Sequence, residues 1–127
     1  MQDPPNAEEL LETVHDFLMN VAVKNLSGHD AFHARVAANS VDIVRRSLEQ
    51  SPNSDQQELD RLRELLDMDG DLTELNRELG RRIRNGEIAL ESDVLKHHLR
   101  ENTLAKLAID QPKYASYRDE IGSDPKK

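Results

Sequence analysis

The sequence predicts an all-α protein, an up-and-down bundle of four to five helices with a short C-terminal helical arm. Three observations lead to this prediction. Apolar residues recur at three- and four-residue steps along most of the chain, which is the spacing of one helix face. Charged residues make up 33% of the 127 residues and aromatic residues only 3%, a composition that suits amphipathic helices better than a sheet. The connections are short, which favours antiparallel neighbouring helices.

The first predicted helix runs from about Ala7 to Lys24. Asn6 stands at the N-cap position, and acidic residues in the first turns suit the positive end of the helix dipole. The apolar residues that recur at helical spacing are Leu10, Leu11, Val14, Phe17, Leu18 and Val21.

A second helix is predicted after the break at Ser27-Gly28, with Asp30 as its N-cap. It is expected to end before Ser51-Pro52-Asn53. The stripe predicted to be buried comprises Phe32, Val36, Ser40, Ile43, Val44 and Leu48.

The third predicted helix begins at Asn53 or Ser54 and ends at Gly70 as a C-cap. It is strongly polar, so we expect it to lie on the surface. A capping box of Asp71 and Glu74 then opens a fourth helix, which Gly86 closes. The apolar residues of these two helices are Leu59, Leu62, Leu65 and Leu66 in the third, and Leu72, Leu75, Leu79 and Ile83 in the fourth.

Ser92 begins the fifth predicted helix, whose apolar face comprises Leu95, Leu99, Leu104 and Leu107. After Pro112, a helical arm of one or two turns presents Tyr114, Tyr117 and Ile121. The whole chain, 1–127, is predicted to be a single helical domain, with residues 1–5 and 122–127 flexible.

Composition excludes several classes of function. A formal net charge of −8 disfavours binding to nucleic acid, because such binding relies on neutralising phosphates, and the one compact basic cluster is Arg81, Arg82 and Arg84. The absence of cysteine removes disulfides and thiolate chemistry and favours a cytoplasmic location. No apolar run is long enough for a bilayer span or a signal peptide, so a membrane location is not expected.

A polar column lies beside the predicted stripe of the second helix. Arg35, Asn39, Asp42 and Arg46 fall on one edge of that helix, and His33 lies within the stripe. One interpretation is a ligand site in which Arg35 binds an anion, His33 binds ligand or transfers a proton, and Asn39 and Asp42 orient them. Tyr114 and Tyr117 would close this site from the C-terminal arm. The other interpretation is a structural hydrogen-bonded ladder that fixes the position of the helix.

No metal site and no cofactor are predicted. Glu12 with His15, and Asp30 with His33, have the spacing used in helical di-iron sites, but further inward carboxylates are not evident. Residues 67–71 resemble the start of a calcium loop, which fails because its sixth position lacks the required glycine. The adjacent His97 and His98 point about 100° apart, so one is expected to be packed and the other solvated.

Four blocks of the sequence resemble a family of short, all-helical bacterial proteins with a domain of unknown function. The blocks are residues 9–11 with Val14 and Phe17-Leu18, residues 32–39 (FHARVAAN), residues 69–72 with Leu75-Asn76, and residues 106–114 (KLAIDQPKY) with Tyr117. Gln111 departs from the pattern, where the family would have Asn. Members are often encoded beside acyl-CoA dehydrogenases and aminoglycoside-phosphotransferase-like kinases, so the resemblance implies an accessory role in a catabolic or CoA-linked pathway.

Two functions from different classes remain open. The first is a non-catalytic interaction or accessory protein that self-associates as a homo-oligomer or docks on a neighbouring metabolic enzyme. It is favoured because Ala34, Ala38 and Val41 lie outside the predicted stripe and would be exposed in a small bundle. The second is a small anionic-ligand-binding protein or enzyme that uses the polar column. For both functions, the second helix is where a partner or ligand is expected to bind. Residues 30–50 have three acidic and three basic side chains, so this segment has no net charge in an otherwise acidic chain.

Overall fold

The computed structural model describes residues 3–122, and every regular element within that range is a helix, which confirms the all-α prediction. Helix α1 comprises Ala7–Phe17, a π-helical turn at Leu18–Ala22 and a last α-helical turn at Val23–Asn25. The other helices are α2 (Gly28–Leu66), α3 (Leu72–Arg84), α4 (Asp93–Asp110) and α5 (Ala115–Gly122).

The chain divides into two compact units, unit 1 up to Ser51 and unit 2 from Pro52 onward. Their described parts are residues 3–51 and 52–122. The prediction that the chain forms one domain, arranged as one up-and-down bundle, stays a prediction. The expected flexibility of residues 1–2 and 123–127 concerns positions outside the described residues.

The start of α1 follows the sequence prediction. The Asn6 side chain accepts a hydrogen bond from the Glu9 backbone N–H at 2.9 Å, and the Glu9 carboxylate accepts one from the Asn6 N–H at 2.8 Å. This reciprocal pair is a capping box, which satisfies two backbone donors that have no partner within the helix.

Helix α2 corrects two predicted boundaries. It begins at Gly28, so Asp30 lies in its first turn and is not the N-cap. It also continues through Pro52, where the sequence predicted one helix to end and another to begin. Proline holds φ near the helical value and removes one hydrogen-bond donor, so it weakens a helix at that point without having to terminate it.

Unit 1 buries the face of α2 that was expected to be exposed. Ala34 and Ala38 are 7% and 1% exposed, and Ala31 is 9% exposed. The predicted stripe is largely open instead: Phe32, Val36, Val44 and Leu48 are 45–58% exposed. Small side chains permit a close helix approach, and this explains why the alanines form the contact. On the facing side of α1, His15 Nε2 lies 3.3 Å from Asp42 Oδ2.

Unit 2 has a core of leucines from three helices. Its members are Leu62 and Leu66 of α2, Leu75 and Leu79 of α3, and Leu95 of α4, each no more than 4% exposed. The third predicted helix is part of α2, and its predicted apolar face supplies Leu62 and Leu66 to this core. Its many charged side chains occupy the outer faces and leave a narrow leucine stripe that is fully buried.

The boundaries of α3 were better predicted than the end of α2. The end of α2 has Asp67, with φ 50°, in the left-handed region, so the C-cap is not Gly70. The Asp71 side chain accepts from the Glu74 N–H at 2.8 Å, which confirms the predicted capping box. Gly86, with φ 73°, follows the C-cap of α3, as expected for a residue that ends a helix.

Helix α4 begins at the predicted N-cap, Ser92, whose side chain accepts from the Leu95 N–H at 3.3 Å. Its buried face differs from the prediction, because Leu99 is 47% exposed and His98 is 2% exposed. In α5, Tyr117 is buried. No helix among residues 3–122 combines the length and the apolar character needed to cross a membrane.

Candidate functional site

The predicted polar column of unit 1 is only partly assembled. Asp42 is half-buried, and its carboxylate lies 3.3 Å from His15 Nε2, 3.2 Å from Arg45 Nη2 and 3.7 Å from Arg46 Nη1. These contacts join α1 to α2 and support the structural interpretation of Asp42. The Asp42 carboxylate, which was expected from the sequence to orient a ligand, is therefore already bound by these side chains.

The other predicted residues of this column are exposed. His33, Arg35 and Asn39 all lie at the surface of α2. His33 stacks on His29, with ring centroids 5.3 Å apart, and meets the edge of Phe32 at 5.7 Å. His33 and Arg35 are two residues apart, which corresponds to about 200° of rotation around the helix, so their side chains point in different directions. The structure therefore does not bring these two side chains together, and their role in binding stays a prediction.

Tyr114 and Tyr117 lie in unit 2, where they line a groove of about 430 Å³ with side chains of α4 and α5. Arg100 also lines this groove, and its guanidinium lies 2.7 Å from Glu120 Oε1 and 3.1 Å from Glu101 Oε1. The two tyrosines thus share one groove with a cation, but that cation is already paired with carboxylates.

A buried polar network in unit 2 was not predicted. Arg61 donates to Asn102 Oδ1 at 2.7 Å and approaches His98 Nδ1 at 3.4 Å. Asn102 Nδ2 lies 3.2 Å from His98 Nε2 and 3.3 Å from Glu58 Oε1. A neutral imidazole has one acceptor nitrogen, so it accepts from either Arg61 or Asn102 and not from both.

Burial lowers the pKa of His98 below its ordinary value of 6.5, and the nearby positive charge of Arg61 lowers it further. Both effects favour the neutral form of the ring. It forms one wall of a cleft of about 370 Å³, together with Arg61, Glu64, Leu65, Asp93, Val94 and His97. The sequence prediction that one of His97 and His98 is packed and the other solvated is confirmed, since His97 is exposed.

The signal for this network in the sequence is weak. Arg61 and His98 are 37 positions apart, and Arg61 and Asn102 are 41 apart. Nothing in the helical spacing of either segment marks the pair. The only usable indication is the adjacency of two histidines on a helix, which requires that they face different surroundings.

The basic cluster at the end of α3 is largely neutralised by its neighbours. Glu78 accepts hydrogen bonds from Arg81 and Arg82 at 2.7 Å, and these bonds lower its pKa from 4.5 to about 2. The same contact raises the pKa of Arg81. Within residues 3–122, moreover, no group of three or more His, Cys, Asp or Glu side chains is placed to hold a metal ion.

Both helices of unit 1 carry exposed large apolar side chains. Among them are Leu10, Val14 and Phe17 of α1 and Val44 and Leu48 of α2, which are 45–58% exposed. We call these five residues the apolar face. Isolated exposed apolar side chains are ordinary on protein surfaces, whereas several on one small helical unit are less common.

Comparison with known proteins gives one match. A family model described as a domain of unknown function, DUF6285, matches residues 24–114. No curated protein and no solved structure matches the chain.

Proposed function

The chain belongs to the DUF6285 family, a domain of unknown function, and we propose that it is a non-catalytic interaction protein whose interacting part is unit 1. The observation that carries this proposal is the contrast within unit 1. Its buried apolar residues are three alanines, whereas the five large side chains of the apolar face are about half exposed.

Energetics supports the proposal. Covering a large apolar side chain contributes about 1.5–3 kcal/mol relative to leaving it exposed, whereas a buried alanine contributes much less. Isolated helices are marginal in water, and most helical stability in proteins comes from packing of an apolar face. Another surface that covers the apolar face would therefore add to the hydrophobic stabilisation of unit 1.

The polar groups are consistent with a role that does not require chemistry. Asp42, Glu78 and Arg61 each have partners within the chain, and these partners account for their positions. The interaction has two candidate forms, self-association and docking on a metabolic enzyme. Of these, an accessory role beside such an enzyme depends on the family resemblance alone.

Site-specific photocrosslinking of the full chain in cells that express it tests this proposal. A photoreactive amino acid at Val14 is expected to form a covalent adduct with a protein surface. The matched control is the same group at Glu12, which lies about 160° away around α1 and should give no adduct. The absence of an adduct at Val14 at every expression level would contradict the proposal.

The second candidate function is binding of a small anionic ligand in the groove of unit 2. It is favoured because Tyr114, Tyr117 and Arg100 line the same groove. An anion bound there would displace Glu120 or Glu101 from the Arg100 guanidinium. Thermal-shift measurements with acyl-CoA thioesters, organic acids and sugar phosphates test it. A shift that Tyr114→Phe reduces, and His33→Ala leaves unchanged, would support this site over the polar column of α2.

A further inference from the structure

We infer that a second copy of this chain covers the apolar face, so that two copies of unit 1 pair face to face as a four-helix arrangement. This inference rests on the proposed function and names the partner of the same surface. It is drawn from the register of α1 and α2, the distribution of charge and the area available.

The register places the apolar residues of α1 and α2 at matching levels. The contact between His15 and Asp42 fixes which residues of the two helices lie opposite each other. Val14 is one residue before His15, and Val44 is two residues after Asp42, so the two valines lie within about one residue, or ~1.5 Å, of the same level. By the same count Leu10 lies beside Leu48.

The same residues also lie on one side of the helix pair. With about 100° of rotation per residue, Leu10, Val14 and Phe17 lie roughly 100–160° from His15 in one rotational sense. Val44 and Leu48 lie roughly 80–120° from the buried Ala38 in that same sense. The two helices run antiparallel and are related by an approximate two-fold axis. A residue of α1 and a residue of α2 that are rotated in the same sense from the contact between the helices therefore lie on the same side of the pair. The five residues therefore form one continuous face.

Charge is kept away from this face. Glu9, Glu12 and Asp16 lie roughly 60–120° from His15 in the opposite sense, on the other side of α1. These three acidic residues of each copy would therefore lie outside the contact. The net charge of −8 still opposes association at long range, so dimerisation should strengthen as salt concentration rises. An uncharged face lacks the groups that would select a charged, unlike partner, whereas it is complementary to itself.

The available area reaches the lower limit for a specific dimer. The five side chains are about half exposed, and covering them completely in both copies would bury at most roughly 1,000 Å², the size that a specific interface must exceed. Residues beside the face, such as Leu11 and Val41, are half-buried and would add to this area.

Sedimentation equilibrium of the full chain tests the inference, with a matched pair of substitutions on α2. Val44 lies on the apolar face and is 48% exposed, whereas Val36 lies on the other side of α2 and is 46% exposed. We expect the wild type and Val36→Glu to be dimers. Val44→Glu should weaken dimerisation roughly thirtyfold or more, the effect of losing a central contact. Circular dichroism checks that both variants keep their helix content.

Thiol labelling gives a second readout that does not require a disruptive substitution. The chain has no cysteine, so Val14→Cys introduces a single thiol. Its alkylation should slow as protein concentration rises, because dimerisation buries it. Glu12→Cys should react at a constant rate.

Two results would overturn the inference: a wild-type protein that is monomeric throughout the micromolar range, or equal effects of Val44→Glu and Val36→Glu on dimerisation. A monomer whose Val14 nevertheless crosslinks to another protein would exclude the second copy and leave the proposed function standing. A monomer without such an adduct would contradict both.

Discussion

Unit 1 and unit 2 have the same secondary structure and very different cores. Unit 2 buries five leucines from three helices, each no more than 4% exposed. Unit 1 buries three alanines and leaves its larger apolar side chains about half exposed. The comparison shows that helical structure and a self-sufficient core are separate properties. A region can be fully helical and still have most of its apolar surface unpaired.

The largest effect is expected in the leucine core of unit 2. Leu75 is fully buried, so Leu75→Ala should lower the free energy of unfolding by about 3 kcal/mol through lost burial and the resulting cavity. Urea denaturation measures this change. The matched control is Leu99→Ala, which removes the same atoms at a site that is 47% exposed and should lower stability by less than about 1 kcal/mol. Similar losses for both variants would contradict the assigned core.

A smaller effect is expected where α1 meets α2. Ala38 is 1% exposed, and Ala38→Leu would force extra atoms into that contact, at a cost of about 1–3 kcal/mol in stability. Ser40 is exposed on the same helix, so Ser40→Leu should change stability by no more than about 0.5 kcal/mol. If Ala38→Leu were as mild as Ser40→Leu, α1 would not approach α2 through the alanines.

The buried histidine of unit 2 should make stability depend on pH. Its pKa is lower in the folded chain than the ordinary 6.5, so the unfolded chain binds the proton more readily. Its contribution to stability is thus complete above about pH 6.5 and is lost as the pH falls toward the folded-state pKa. Urea midpoints measured from neutral to mildly acidic pH should fall in the wild type. His98→Leu should reduce this dependence, whereas His97→Gln, at the exposed neighbour, should retain it.

The smallest effect on folding is expected at Glu78. This surface carboxylate is bound by Arg81 and Arg82, and its pKa is about 2. Carbon-detected NMR titration should find it ionised at pH values where other glutamates are already protonated. Because the folded-state pKa is lowered, its contribution to stability is present above about pH 4.5 and disappears as the pH falls toward 2. Arg81→Gln together with Arg82→Gln should return the pKa to the ordinary range, and a low pKa in that variant would show that another group is responsible.

Helix existence was predictable from the sequence, and so were several helix ends. The capping boxes at Asn6 and Asp71 and the N-cap at Ser92 are local patterns, and the structure contains all three. The end predicted at Pro52 was wrong, because a proline lowers helix stability without specifying what the neighbouring residues do. Local capping patterns therefore predicted three helix starts correctly, but neither the start nor the end of α2.

The choice of buried face was much less predictable. Periodicity identified the stripe that includes Val44 but also allowed the alanine face at Ala38, and tertiary contact decided between them. Leu62 was placed on the apolar face of a charged helix, and it is fully buried. For the candidate site, the network of Arg61 and His98 depends on helices distant in sequence. Periodicity within one segment carries no information about such pairs.

The π-helical turn in α1 makes that helix tolerant of a change in chain length. At this turn the Val23 N–H bonds to the Leu18 carbonyl, five residues back, so one residue is accommodated outside the regular repeat. Half-buried side chains occur both before it, at Leu11 and His15, and after it, at Val23. Deleting Asn20 should therefore convert the π-helical turn to α-helix, while these side chains stay on the same side of α1. Deleting Thr13, which lies in the regular part, would rotate every earlier residue by about 100°.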